Sequence, residues 1–169
     1  VRSRRQRQMC IRDSEYSVTQ EHIVSTIIRD QLGQITLPNV GEAKERIILA
    51  TPDGNMHELS IIIADILCRA NRYSTSYLGA SHPAECLGEA VNILKCNTVV
   101  MGVVSSDLWS YEKNIISYLT EMDSFLKHPV QVVLGGGWKL DFPKYKNISV
   151  VKVMASFEDF DQALDSHSL

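Results

Sequence analysis

The sequence is short of the features that would place it at a membrane or around a nucleotide. No apolar run approaches the roughly 18 residues needed to cross a bilayer. The first residues are basic, but no apolar stretch follows them as it would in a secretion signal. Four cysteines occur, Cys10, Cys68, Cys86 and Cys96, with no C-x-x-C pairing, so their spacing does not suit a zinc site. Cys68, Cys86 and Cys96 fall in or near expected core elements, which fits reduced, packing cysteines in a cytoplasmic protein. Neither G-x-G-x-x-G nor G-x-x-x-x-G-K-[ST] follows the first strand-like segment, which argues against a phosphate-cradling nucleotide loop. G-x-S-x-G is missing too, and with it the usual serine hydrolase arrangement.

What is present suits one domain. The chain has 169 residues, 44% hydrophobic and 22% charged, enough to bury a core. Charge is distributed unevenly. "VRSRRQRQMCIRDS" holds five arginines and one aspartate, a net of +4, against −3 for the whole chain. Residues 15–169 therefore carry −7, which disfavours direct contact with DNA. A basic arm can bind nucleic acid, but residues 1–14 also resemble translated read-through of a sequencing adaptor. On that expectation the natural chain continues upstream, and these residues are set apart from fold reasoning.

Helical periodicity begins at "SEYSVTQEHIVSTIIRDQLGQI". Val18, His22, Ile23, Ile27, Ile28 and Leu32 recur on one face, and Gly33 ends the helix. Residues 34–44, with Pro38 and Gly41, read as a linker. Strand and helix then alternate through 45–166. Strands are expected at 46–50, 73–79, 98–104, 130–137 and 148–154. Helices are expected at 56–70, 83–95, 106–127 and 156–166. The strands "RIILA" and "TVVMGVV" are apolar on both faces, as in a buried parallel sheet. The expected fold is a flavodoxin-like, Rossmann-like, doubly wound α/β domain with a five-stranded parallel sheet in the order 2-1-3-4-5. Met101 and Met122 are expected as core fillers, and Phe157 and Phe160 as the inward face of the last helix.

In such a sheet the loops after the strands gather along one edge, where ligands bind. Three of these loops carry chemistry: Pro52-Asp53-Gly54-Asn55-Met56-His57, Ser105-Ser106-Asp107 and Gly135-Gly136-Gly137-Trp138. The third strand ends in valines and serines rather than a carboxylate, so a phospho-acceptor role is disfavoured. His57 stands where a strand gives way to a helix, as a ligand, a base or a structural loop residue. His82 reads as a loop histidine. Trp109, Tyr111 and Trp138 read as packing groups, with stacking on a ligand as the other use.

The segment "RIILATPDGNMHELSIIIADILCRANRYSTSYLGASHPAECLGEAV" resembles the cobalamin-binding domain. That family carries D/E-x-H-x-x-G after its first strand, and a Leu-Gly turn followed by Pro and an acidic residue after its second, here "YLGASHPAE". It closes the fourth strand with Gly-Gly, here Gly135-Gly136. The resemblance covers about residues 45 to 165. It implies that His57 ligates cobalt from the lower face, with the cofactor's own base displaced and its nucleotide tail lying at the sheet edge. It implies cofactor contacts from Asn55, Met56, Ser60, Ser105, Gly135 and Gly136, with Asp53 behind them. The chain departs from the motif at two positions: the acid is Asn55 and the glycine is Ser60. Asn55 is expected to hydrogen-bond the imidazole in place of the acid. The family's Ser-x-Leu after the third strand puts Val103 at the serine position, with Ser105 two residues on.

The first helix is similar to the last helix of the bundle preceding this domain in MerR-type, cobalamin-dependent, light-sensing regulators. There a Trp-x9-Glu-His motif covers the upper corrin face, and Glu21-His22 match its Glu-His. The tryptophan position is Ile11. The resemblance implies a non-enzymatic sensory module that binds cobalamin, with the adenosyl form favoured, and that homo-oligomerises. DNA would be read only by an upstream domain. The other readings are a corrinoid carrier for methyl transfer, and a degenerate domain that binds haem or nothing.

Overall fold

The structure, a computed structural model, describes residues 18–35, 44–106, 109–166 and 168–169, with the backbone alone at 18–22, 24–25, 33 and 44. The chain divides into two compact units, Val1–Thr36 and Leu37–Leu169. In the first, α1 spans Val18–Gly33 and stops at the glycine expected to end it. Ile23, Ile27 and Ile28 are all exposed on it.

The second unit runs β1 (Lys44–Pro52), α2 (Leu59–Ala70), β2 (Tyr73–His82), α3 (Ala84–Leu94), β3 (Thr98–Gly102), α4 (Tyr111–Phe125), β4 (Val130–Gly135), β5 (Ile148–Met154) and α5 (Phe157–Asp165). The five strands form one sheet, all pairs parallel, in the order β2-β1-β3-β4-β5. This is the expected topology. Alternation along the central strands sorts side chains onto two layers. Ile48, Ala50, Val99, Met101, Val132 and Leu134 pack with α3 and α4, together with Leu87, Ile115 and Leu119. Ile47, Leu49, Val100 and Val133 pack with α2 and α5 through Ile61, Ala64, Phe160 and Leu164. Both faces are therefore covered, which is why the central strands read as unbroken apolar runs.

Several boundaries differ from expectation for local reasons. α2 begins at Leu59, not Met56, because residues 53–58 form a separately hydrogen-bonded loop. β2 continues through Gly79 to His82. Gly79, at φ +89°, absorbs a register shift opposite Ala50, so the glycine bends the strand instead of closing it. α4 begins at Tyr111 rather than 106. Ser106 and Trp109 close a turn first, through Ser106 N–H to the Trp109 carbonyl (2.8 Å) and Trp109 N–H to Ser106 Oγ (3.1 Å). β3 and β4 stop at Gly102 and Gly135. Cys68 and Cys96 are buried, but Cys86 lies exposed on α3. Cys10 lies outside the described residues, as does most of the expected linker.

The long loop between β4 and β5 is tied to α4 at both ends. Tyr111 donates its hydroxyl to the Trp138 carbonyl (2.7 Å), and the two rings meet edge to face with centroids 4.8 Å apart. At the other end the buried Asp123 carboxylate accepts the N–H groups of Lys146 (2.9 Å), Asn147 (2.7 Å) and Ile148 (2.7 Å). One carboxylate thus satisfies three consecutive backbone donors at the entry to β5. Among the described residues no helix is long and apolar enough to cross a membrane.

Candidate functional site

β1 ends at Pro52, which has no N–H to continue the ladder. The chain then turns at Gly54, φ +78°, with Asn55 N–H bonded to the Pro52 carbonyl (2.9 Å). Asn55 follows with no exposed surface. Its Nδ2 donates to the Val104 carbonyl after β3 (3.1 Å), and its Oδ1 accepts the backbone N–H of His57 (3.0 Å). Asn55 therefore holds the backbone of the histidine loop against the end of β3. Both ends of the amide are used on main chain, whereas the sequence had suggested a bond to the imidazole.

The end of β2 closes the other side of the loop. Ser81 donates its N–H to Thr51 Oγ1 (2.8 Å) and to the Asn55 carbonyl (3.1 Å), and Thr51 Oγ1 itself donates to the Asn55 carbonyl. Ser81 Oγ donates to Asp53 Oδ1 (3.0 Å) and accepts from Gly54 N–H (3.0 Å). Asp53 Oδ1 also accepts from Gly54 N–H (3.0 Å). Asp53 is thus bound up in the turn. Thr51 and Ser81 were not singled out from the sequence. A serine two residues after Gly79, facing a Pro-Asp-Gly turn, was the available signal.

Beyond this network, Met56 and His57 are exposed, with 67% of the Met56 surface accessible. Glu58 Oε2 accepts from the Tyr77 hydroxyl (2.9 Å). Ser60 Oγ makes a long contact to the His57 carbonyl (3.4 Å). Ser60 also stands against Gly102, where an added Cβ would lie 2.6 Å from Ser60 Oγ and 2.9 Å from Ile61 Cγ2. The absence of a side chain at Gly102 is what admits Ser60.

A cavity of about 200 Å³ opens at this edge between α2 and α5. Ser60, Ala64, Gly102, Gly135, Phe157 and Phe160 are among its walls. Ser60 lines it without closing it. Phe160 is buried as expected, but Phe157 is 41% exposed and stands on the cavity wall, because it opens α5 at the sheet edge. Gly135 accepts the Val103 N–H (2.9 Å). Gly136, at φ +86°, lies where a Cβ would meet Val104 Cγ2 at 2.7 Å. Gly136 therefore allows close packing of the strand ends, a Cβ at Gly135 would make only ordinary contact, and both glycines line the cavity.

Other candidates are placed differently. Ser105 Oγ accepts the Tyr111 N–H (3.0 Å), so it satisfies one of the free donors in the first turn of α4. Trp109 and Tyr111 are buried core groups, and burial pushes the Tyr111 hydroxyl up to about 12. Burial lowers the His82 imidazole, and the His82 carbonyl takes the Tyr118 hydroxyl (2.7 Å). Burial, reinforced by the Asp53 carboxylate, pushes the Tyr118 hydroxyl up. The side chains of Glu21 and His22, and residues 107–108, lie outside the described residues. The structure thus brings Asp53, Asn55, Met56, His57, Ser60, Gly135 and Gly136 to one sheet edge.

Among the described residues no group of three or more His, Cys, Asp or Glu is placed to hold a metal ion. His57 is the exposed imidazole on this edge, with no side-chain hydrogen bond to the other described residues.

No protein-family model matches the sequence, and no curated protein matches it. Solved structures do resemble it in fold. One is the methanol:cobalamin methyltransferase complex MtaBC from Methanosarcina barkeri, at TM-score 0.58 and 16% identity over 95% of this chain and 61% of that one. A second is a cobalamin-binding protein from Desulfitobacterium hafniense, at TM-score 0.43 and 17% identity over 76% of this chain and 60% of that one. This chain spans about three fifths of the length of each. The first of these shares the five-stranded parallel α/β architecture of residues 44–165.

Proposed function

We propose that the second unit binds a cobalamin-type corrinoid, with His57 as the protein's ligand to cobalt. The observation that carries this reading is the donor set at the sheet edge. A solitary exposed imidazole is a poor cage for a bare ion. It suits a metal whose other positions are filled by a macrocycle. A bound corrin would supply a cobalt centre able to take one donor from the protein. His57 would be that donor, carried on the loop before α2 with its backbone held by Asn55. The apolar cavity between α2 and α5 takes the displaced nucleotide tail, with Ser60 on its wall. The fold shared with the methyltransferase complex is consistent with this use, as is the resemblance of the sequence around His57.

Of the two uses of such a site, we favour a sensory module of a transcriptional regulator over a methyl carrier. A carrier relies on an acid next to the ligating histidine to move a proton as cobalt changes oxidation state. Here that position is Asn55, whose amide is engaged with the Val104 carbonyl and the His57 N–H. An amide cannot take up that proton. The adenosyl form of the cofactor, light sensitivity and homo-oligomer formation belong to the same proposal.

The test is a visible absorption titration with hydroxocobalamin and adenosylcobalamin in the dark, with His57→Ala alongside. A corrin spectrum that shifts on binding, and loses the shift in the variant, supports His57 as ligand. Light-dependent release of the adenosyl group then supports the sensor. Equal behaviour of variant and parent would remove His57 from the site, and retention of haem instead would favour the third reading of the sequence.

A further inference from the structure

We propose that Ser81 is a positioning residue for His57, acting through the turn that precedes it. The proposal rests on the corrinoid reading and says what controls ligation at that site. Three observations lead to it. Ser81 has φ +53°, a backbone region that non-glycine residues adopt seldom and keep only when their surroundings hold them there. Its backbone N–H reaches both Thr51 Oγ1 and the Asn55 carbonyl, so the strained conformation is tied to the two buried polar residues of the loop. Its hydroxyl joins Asp53 Oδ1 to the Gly54 N–H, closing the turn from the β2 side.

The chain of contacts then continues without a gap. Ser81 holds Asp53, Gly54 and Asn55. Asn55 Oδ1 holds the His57 N–H, and Asn55 Nδ2 fixes the loop to β3 through Val104. His57 has no side-chain partner of its own among the described residues, so what the fold fixes is the position of its backbone. In a domain where the acid beside the histidine is replaced by Asn55, the support the fold gives the ring is the held main chain that carries it, and Ser81 is the outermost member of that support. Removing its hydroxyl leaves Gly54 N–H with Asp53 Oδ1 as acceptor. The fold therefore survives the loss while the turn loosens.

The experiment compares the wild type with Ser81→Ala and Ser81→Gly. Glycine adopts the positive φ freely, so Ser81→Gly separates loss of the hydroxyl from backbone strain. Amide hydrogen exchange at Gly54 and His57 is measured without cofactor. Hydroxocobalamin affinity, and the fraction of bound corrin carrying the His57 ligand at saturation, are measured by visible absorption. The expected result for both Ala and Gly is exchange faster by about tenfold, affinity weaker by about tenfold and a lower His57-ligated fraction. Tm should stay within about 2 °C for Ala. Unchanged exchange and unchanged ligation in Ser81→Ala would overturn the proposal. So would a loss in both Ala and Gly that tracks a fall in Tm, since that describes a purely structural residue. If the wild type binds no corrin, the corrinoid reading fails, and the exchange rates at Gly54 and His57 alone then decide whether Ser81 holds the loop.

Discussion

Restoring the motif acid at position 55 should harm the protein. In Asn55→Asp the Nδ2 donor becomes a carboxylate oxygen facing the Val104 carbonyl at the 3.1 Å now spanned by a hydrogen bond. The site has no exposed surface, so water cannot separate the two oxygens. The carbonyl loses its partner, at about 1–3 kcal/mol, and the carboxylate stays charged only against desolvation. The acceptor for the His57 N–H survives and offsets part of this. A net cost of about 2–4 kcal/mol at pH 7 follows, which for a domain of this size lowers Tm by roughly 5–15 °C. The new carboxyl has a folded pKa above its unfolded value, because its neutral form can donate to Val104. Between those two values the native state binds more protons than the unfolded state, so stability falls as pH rises through the folded pKa and is recovered below it. Urea unfolding of variant and parent at pH 5 and pH 8, followed by circular dichroism, measures this. A variant as stable as the parent at pH 8, or one that gains stability from pH 5 to pH 8 relative to it, would refute the assignment of Asn55 as a backbone pin.

Other perturbations separate the parts of the fold. Asp123→Ala strands the N–H groups of Lys146, Asn147 and Ile148 and should cost about 3–5 kcal/mol in urea unfolding, with Asp123→Asn losing less because one acceptor oxygen remains. Gly102→Ala puts a methyl group against Ser60 Oγ and Ile61 Cγ2 and should destabilise by about 1–3 kcal/mol, read as a lower Tm, while Gly102→Ala combined with Ser60→Gly should recover part of the loss. Burial raises the Tyr111 hydroxyl above its ordinary value of 10 to about 12, so ionisation is disfavoured in the folded state. Stability from this group is present below pH 10 and is lost as pH rises from 10 towards 12. Unfolding measured across that range should show a steeper decline in the parent than in Tyr111→Phe, which also gives up the bond to the Trp138 carbonyl.

Much of the architecture was legible because it depends on short-range pattern. Strands that are apolar on both faces, such as Ile47–Ala50 and Val99–Met101, belong to a sheet covered on both sides, and the alternation with helices dictates parallel pairing. The loop containing His57 could be placed on the ligand edge for the same reason: in such a sheet every strand end shares that edge. The resemblance around "DGNMHELS" added the cofactor class, which periodicity alone does not contain.

Contacts between segments far apart in sequence decided the rest. Nothing local says that Asn55 would spend its amide on Val104 and on the His57 backbone, 49 and 2 residues away, rather than on the imidazole. Ser81 reads as an ordinary turn serine until β2 is extended past Gly79 and brought beside the Asp53 turn, 28 residues earlier. Ser105 reads from the sequence only as a cofactor contact, and its bond to the Tyr111 N–H, six residues on, came from the structure. Composition and periodicity determined the layers and the edge where chemistry can occur, because each depends on a residue and its near neighbours. The partner of each polar side chain on that edge was decided only by the tertiary structure, because a buried donor or acceptor must be satisfied by whatever main chain the fold delivers to it.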